Sequence, residues 1–330
     1  MADISVPIAY ITEAKYGSEV RSRIISAISA IKDDMASFMR SFDIDAENLM
    51  SLLDGFGSSV SSTYYDDVLN YMQRVGSEAF ANDDLIETAN FAGVLSVSNS
   101  AFAFCSNLTN VSMPSCAELG THAFYYCTKL STAYLPALSS IGVGTFEFCE
   151  ALESFNLGSV VNVTSFTFSG CTALSEVTMP SAVTIGEQAF ANCTSLKSVT
   201  GENVTTIGES AFIGCTSLSE VSFPAATSLA NSAFHNCSSL YSATFDTISN
   251  FNVNAFTVCR NLTYLTFKST AVVSISATGV FMLTRKILTD GAFMVRASLI
   301  SAYKSAPYWS TLWANYGHSK NSNLFTAYDV

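Results

Sequence analysis

Apolar residues along residues 100–280 return at a fixed interval. Phenylalanine stands at Phe102, Phe124, Phe146, Phe168, Phe190, Phe212, Phe234 and Phe256, each 22 residues after the last. A cysteine follows each by three residues, from Cys105 to Cys259, and a leucine follows each cysteine by three, from Leu108 to Leu262. After each leucine, apolar and polar residues alternate, as in Val111-Ser112-Met113 and Val177-Thr178-Met179; Gly201 is the one break in the second apolar position. That alternation predicts a short strand with one face inward and one outward. Proline stops the strand at Pro114, Pro136, Pro180 and Pro224. A further apolar position follows at Leu119, Ile141, Val163, Ile185, Ile207, Leu229, Phe251 and Val273. Glycine after several of these (Gly120, Gly142, Gly186, Gly208) is expected to supply a turn with positive φ. Eight units without insertion or deletion predict a solenoid of parallel strands, each unit burying its apolar face on its neighbours.

The flanks carry different periods. Ile24, Ile28, Ile31, Met35, Phe38 and Phe42 follow 4-3-4-3-4 spacing, and the register runs on to Leu49 and Leu52. This is the seam of a coiled coil, with isoleucines that lean toward three strands; an amphipathic helix lying on the end of the solenoid is the alternative. Residues 54–62 are a Gly/Ser-rich linker. A helix is expected over about 63–75, with Tyr64, Val68, Tyr71, Met72 and Val75 on one face. Glu78–Ile86 then reads as a degenerate first repeat with Asp83 in the cysteine place, as a capping unit needs. The repeat pattern breaks near Thr278. Beyond it, Ser298 is expected to cap a helix running to about Ser305. Trp309 and Trp313 are expected to plug the last coil, a ligand-stacking role being the alternative, and the tail from Gly317 is expected to be loose. The resulting layout is 1–53 helical anchoring and oligomerisation segment, 54–62 linker, 63–99 capping helix and first repeat, 100–280 repeats, and 281–330 cap and tail.

Ala189-Phe190-Ala191-Asn192-Cys193-Thr194-Ser195-Leu196 and the segment Ile207–Leu218 resemble the BspA-type leucine-rich repeat, over roughly residues 78–280. The stretch Gly291–Trp309 is similar to the closing segment of such proteins, although Arg296 stands where proline is usual. The resemblance implies the fold, a leucine-rich repeat solenoid with short parallel strands and an N-terminal helical segment, and a binding scaffold with no particular ligand. A second resemblance lies in Lys15–Ile28, which is similar to the opening segment of many phage tail and baseplate proteins. It implies an end that anchors in a virion.

Composition narrows the function classes. The 330-residue chain has a formal charge of −12, and residues 78–277 hold 14 acidic side chains against Lys129, Lys197, Arg260 and Lys268. No basic stripe exists to meet phosphates, so nucleic acid is not expected as a partner. No run of 18 apolar residues is present, so membrane insertion is not expected. The first residues lack the charged start of a signal peptide. The nine cysteines are expected to be reduced and buried, since equivalent side chains of stacked repeats project in parallel and bridge poorly. Their spacing, with no C-x-x-C, holds no zinc ligand cluster. That usage implies folding in a reducing compartment, with Cys116, off the ladder, as the one accessible thiol.

No nucleophile elbow, phosphate loop or dinucleotide fingerprint is present, and His122 and His235 cannot be placed beside a nucleophile from sequence. Glu147, Glu150 and Glu153 read as a solvated turn, and His235 as an exposed turn residue. No catalytic, cofactor or metal residue is therefore expected, and the chain is not expected to be an enzyme. The outward strand positions form two columns of small hydroxyl-bearing residues. They read either as a soluble face with β-propensity or as a face for a host-surface protein or glycan, with Tyr134, Asn156, Glu176, Glu220, Tyr241 and Tyr264 as candidates. The leading expectation is a phage structural protein, a tail or head fibre or baseplate component, assembled in the host cytoplasm and trimerised through its N-terminal helix. A bacterial BspA-like surface or secreted adhesin is the alternative.

Overall fold

The computed structural model describes residues 73–275, 278–317 and 324–327. The coiled-coil seam, the linker and residues 63–72 of the expected capping helix lie outside the described residues. The chain forms two compact units, the first ending at Leu152 and the second starting at Glu153.

The described part of the first unit holds two parallel sheets. One runs through Arg74–Val75, Ser96–Val97, Glu118–Leu119 and Ser140–Ile141, the other through Thr88–Asn90, Asn110–Ser112 and Thr132–Tyr134. Partners such as Ser96↔Glu118 and Asn110↔Thr132 are one period apart, so every coil lies in register on the last. Arg74–Val75 is a strand, which corrects the end of the expected helix. Val75 pairs with Val97 because it holds the same place one period earlier, and the ladder therefore starts with the strand just ahead of Phe80.

The second unit repeats the plan. Six two-residue strands from Asn162–Val163 to Ser274–Ile275 form one parallel sheet; a second six-stranded sheet starts at Ser198–Thr200, and Ser154–Asn156 pairs with Glu176–Thr178. Near its end the register moves. Phe251 pairs with Ile275 rather than with Val273, which sequence periodicity had placed there. Two extra residues between Phe267 and Ile275 push Val273 out of the strand. Its backbone N–H instead donates to the Tyr303 hydroxyl at 2.9 Å, and its carbonyl accepts from the Trp309 indole at 2.6 Å.

The core is a stack of rings. In the first unit Phe80, Phe102, Phe124 and Phe146 lie 4.9–5.3 Å apart between centroids and within 7° of parallel. In the second, Phe168, Phe190, Phe212, Phe234 and Phe256 repeat the stack at 5.1–5.6 Å. Phe281, brought in by the 3-10 turn Thr278–Phe281, extends it one ring further at 5.9 Å. Beside each ring lies a ladder thiol. Sγ of Cys105 and Cys127 donates to the carbonyls of Phe80 and Phe102, and Sγ of Cys193, Cys215 and Cys237 to those of Phe168, Phe190 and Phe212, all at 3.0–3.1 Å. Cysteine suits the place because it is small, apolar and still carries a weak donor for a buried acceptor. All nine cysteines are free and buried, Cys116 included, so that residue is not the accessible thiol expected. Burial pushes its thiol up to about 11.

Two residues of nearly every coil turn with positive φ, and they are not the glycines that the sequence pointed to. They sit two before and two after each core phenylalanine: Ser100 and Phe104 around Phe102, His122 and Tyr126 around Phe124, Gln188 and Asn192 around Phe190. The conformation aims their backbone N–H groups at the next coil, as in Phe104 to Tyr125 at 2.7 Å and Tyr126 to Glu147 at 2.9 Å. Gly120, Gly142, Gly186 and Gly208 have another cause. A Cβ on Gly120 would stand 2.6 Å from the Asn99 backbone, and one on Gly208 would stand 2.7 Å from Gly186, so glycine there permits coils to approach. Gly201 likewise makes room: its absent side chain is replaced by the ring of Phe223, 2.9 Å from where a Cβ would be.

The C-terminal cap also departs from expectation. Ser298 lies within the 3-10 turn Ala297–Leu299 and caps nothing; the helix proper is Ile300–Ser305. Arg296 fixes this corner by donating from Nε to the Lys268 carbonyl at 3.0 Å. Trp309 is fully buried among Phe267, Phe281, Phe293, Tyr303 and Phe325, and so fills the end of the core. Trp313 is only partly buried and carries the Lys304 ammonium 4.1 Å over its ring. The tail is not uniformly loose. Phe325–Ala327 adds a parallel strand to Ala292–Val295, because Leu324 and Phe325 bury themselves on an otherwise open sheet edge.

Candidate functional site

The six residues singled out on the strands fall in different places. Tyr134 ends a strand of the first unit and is 62% exposed. The other five belong to the second unit. Glu176 and Glu220 are outward strand residues and exposed, Glu220 facing Ser198 and Ser242 on the neighbouring strands. Tyr264 pairs with Ser242, and its ring meets Tyr241 edge-on at 5.4 Å; the Lys286 ammonium stands 5.7 Å over the Tyr241 ring. These two tyrosines are the one pair of the six brought together. Asn156 is occupied structurally: its Oδ1 accepts from the Gly158 N–H and from the Thr178 hydroxyl, both at 2.9 Å.

Beyond the strands, a cleft of about 560 Å³ lies where the two extra residues bulge. It is lined by 246–249, 268–272 and Arg296. Within it Lys268 Nζ lies 3.1 Å from both oxygens of Asp246, and Arg296 donates from Nε to the Lys268 carbonyl. Among the described residues no group of three His, Cys, Asp or Glu is placed to hold a metal ion, and no helix is long and apolar enough to cross a membrane.

A surface that the strand columns did not suggest lies on the turns of the first unit. Phe104, Tyr126 and Phe148 occupy successive copies of the position two after the core phenylalanine, all with φ near +60°. Elsewhere this position holds Asn82, Gly170, Asn192, Gly214 and Asn236, residues that accept a left-handed backbone readily, and the apolar Val258 and Leu283 in the last two copies. A side chain with an ordinary Cβ costs roughly 1–2 kcal/mol there. The three rings form an outer row, stacked at 5.7 Å between Phe104 and Tyr126 and tilted at 4.8 Å between Tyr126 and Phe148. Tyr125 props the row edge-on, 5.2 Å from Phe104 and from Tyr126. Phe104 remains 46% and Tyr126 39% exposed. Its sequence signal is three aromatics one period apart, on the turns and not on the strand columns.

At the rim of this row His122 Nε2 stands 3.9 Å from Glu147 Oε2. The Glu147 side chain is only 17% exposed, and burial pushes its carboxyl above the usual carboxylate range. Glu147 is thus no part of a solvated turn, which corrects that expectation for this residue; Glu150 and Glu153 are exposed as expected. Burial, with Glu147 and Tyr126 nearby, also raises the Tyr125 phenol. His235, in the second unit, is half-buried rather than an exposed turn residue, and its Nδ1 is sealed from solvent with no hydrogen-bond partner.

Comparison with known proteins bears on the scaffold. A protein of T. pallidum described as a leucine-rich repeat protein is 28% identical, with 54% of this chain and 78% of that one covered and a TM-score of 0.40. A leucine rich cell surface protein from Faecalibacterium prausnitzii is 18% identical over 79% of this chain and 87% of its own, at a TM-score of 0.41. An internalin from Listeria monocytogenes is 17% identical, covering 80% and 81%, at 0.39. No curated protein matches the chain. The family described as BspA type leucine rich repeat region, in six copies, matches residues 73–197 and 161–287. Those residues carry the ring stack, the thiol ladder and the parallel strands in both units, over well more than half of the chain, and the protein belongs to the BspA-type leucine-rich repeat family.

Proposed function

We propose that the chain is a non-catalytic attachment protein of the BspA adhesin type, a scaffold whose exposed positions meet an external protein or glycan. The observation that carries this reading is the division of each coil into unvarying and varying positions. Inward phenylalanine, cysteine and leucine repeat in both units, whereas the outward strand residue changes from Asn110 to Thr132 in the first and from Ser154 through Glu176 to Tyr264 in the second. A scaffold that keeps its core constant and varies its surface is built for display. Buried thiols with raised pKa values do not oppose export, because little thiolate is present to oxidise. Nucleic-acid binding and membrane insertion form no part of the reading. The virion-fibre expectation rests on residues 15–52, outside the described residues and ahead of the family match, which starts at residue 73. Self-association through the seam from Ile24 to Leu52 is proposed alongside the attachment role.

Antibody labelling of intact cells of the source organism, with the full chain as immunogen, tests the reading. Signal that protease shaving removes supports it. Signal that needs lysis overturns it, and recovery of the chain in purified virions restores the fibre.

A further inference from the structure

The row of Phe104, Tyr126 and Phe148 is unexplained by folding. Each ring sits on a left-handed residue, at a turn position where asparagine or glycine serves the same N–H bond to the next coil: Asn192 donates to Ile213 at 2.7 Å and Gly214 to His235 at 2.9 Å. The fold therefore does not need aromatics here, and it leaves Phe104 and Tyr126 substantially in water. Strain kept at three successive coils, with large rings left exposed, points to recognition. We propose that this ridge binds a neutral glycan, whose sugar rings lie along the outer aromatic faces while His122, Glu147 and the tyrosine hydroxyls bond its own hydroxyls.

The arrangement selects that ligand chemistry over others. The rings close on one another, with Tyr125 edge-on to Phe104, Tyr126 and Phe148 at 5.2–6.0 Å. No open cage is left between them for an ammonium group. What remains is an outer platform about two coil spacings long, which suits a flat ligand with C–H faces. Polar groups stand beside the platform, since His122 lies 5.0 Å from Tyr125 and 3.9 Å from Glu147. An apolar peptide helix would take them out of water and offer no bonds in return, whereas hydroxyls replace the bonds to water. Glu147, in a chain of formal charge −12, disfavours sulfated, sialylated or phosphorylated partners. The ridge lies apart in sequence from the strand candidates, and the inference stands whether or not those bind anything.

Affinity electrophoresis of the full chain tests it, in gels containing a β-glucan, a mannan or a galactan, with heparin as the charged comparison. Tyr126→Asn and Phe148→Asn remove rings while supplying the residue that this turn favours. The expected result is retardation by at least one neutral polysaccharide. That retardation weakens at least about tenfold in both variants and persists in Tyr264→Ala, while the Tm of the asparagine variants holds or rises. Four results overturn the proposal: retardation by none of the neutral polysaccharides; retardation by heparin alone; a lowered Tm in the asparagine variants, which makes the row a packing device; or concentration-dependent self-association that the same variants abolish, which makes it a protein contact.

Discussion

The Sγ of Cys215 lies 3.0 Å from the carbonyl oxygen of Phe190, twenty-five residues earlier in the chain. Burial pushes this thiol up to about 12, so it stays protonated and remains a donor at any physiological pH. Replacing Cys215 with alanine leaves the Phe190 carbonyl buried without that partner, and a loss of about 1–3 kcal/mol is expected in urea unfolding. The same burial predicts that the native chain gives essentially no reaction with a thiol reagent, whereas the unfolded chain gives nine equivalents. Paired cysteines in a non-reducing digest would remove the basis of both expectations.

Phe190 is fully buried between Phe168 and Phe212. Its replacement by alanine is expected to cost about 3–5 kcal/mol. Tyr264→Ala, on the outward face, is expected to cost under about 1 kcal/mol, the worth of its edge contact with Tyr241. Equal losses in denaturant titrations would show the inward and outward columns to be misassigned.

Gly208 separates two readings of its kind. If glycine served a left-handed turn there, asparagine would be tolerated. Its Cβ position is instead blocked by the Gly186 backbone at 2.7 Å. Gly208→Ala and Gly208→Asn are therefore both expected to destabilise, by about 1–3 kcal/mol. A harmless asparagine, judged by Tm, would contradict the close-approach account.

Glu147 predicts a pH dependence. Its folded carboxyl holds a proton more tightly than the unfolded chain does, because burial disfavours the charge; His122 and Tyr125 are the titratable groups that face it. Its stabilising contribution is complete below the ordinary carboxylate range and is lost as pH rises through the raised value. Glu147→Gln is expected to raise Tm at about pH 7.5 and to have no effect near pH 4. A variant gain that is largest in acid would reverse the sign and the assignment.

The apolar seam from Ile24 to Leu52 predicts a parallel homotrimer for the full chain and a monomer once residues 1–62 are removed. Light scattering on the two proteins gives the masses directly. A monomeric full chain would eliminate the seam as an assembly device.

The period of Phe, Cys and Leu was legible because burial is a side-chain property, and a stacked coil repeats its burial at the period of its chain. Inward strand positions, the ring column and the buried thiols all followed from that. Backbone conformation did not. The positive φ of Phe104, Tyr126 and Phe148 is imposed by N–H groups that must reach the next coil, and this demand arises only once coils are stacked. Hence glycine pointed to the wrong turn, and the strand columns carry no sign of the aromatic ridge. The same limit explains the ends. The shift from Val273 to Ile275, the strand at Phe325–Ala327 and the burial of Cys116 and Glu147 depend on neighbours distant in sequence. Local periodicity carries no record of them, so only the packed tertiary structure decides them.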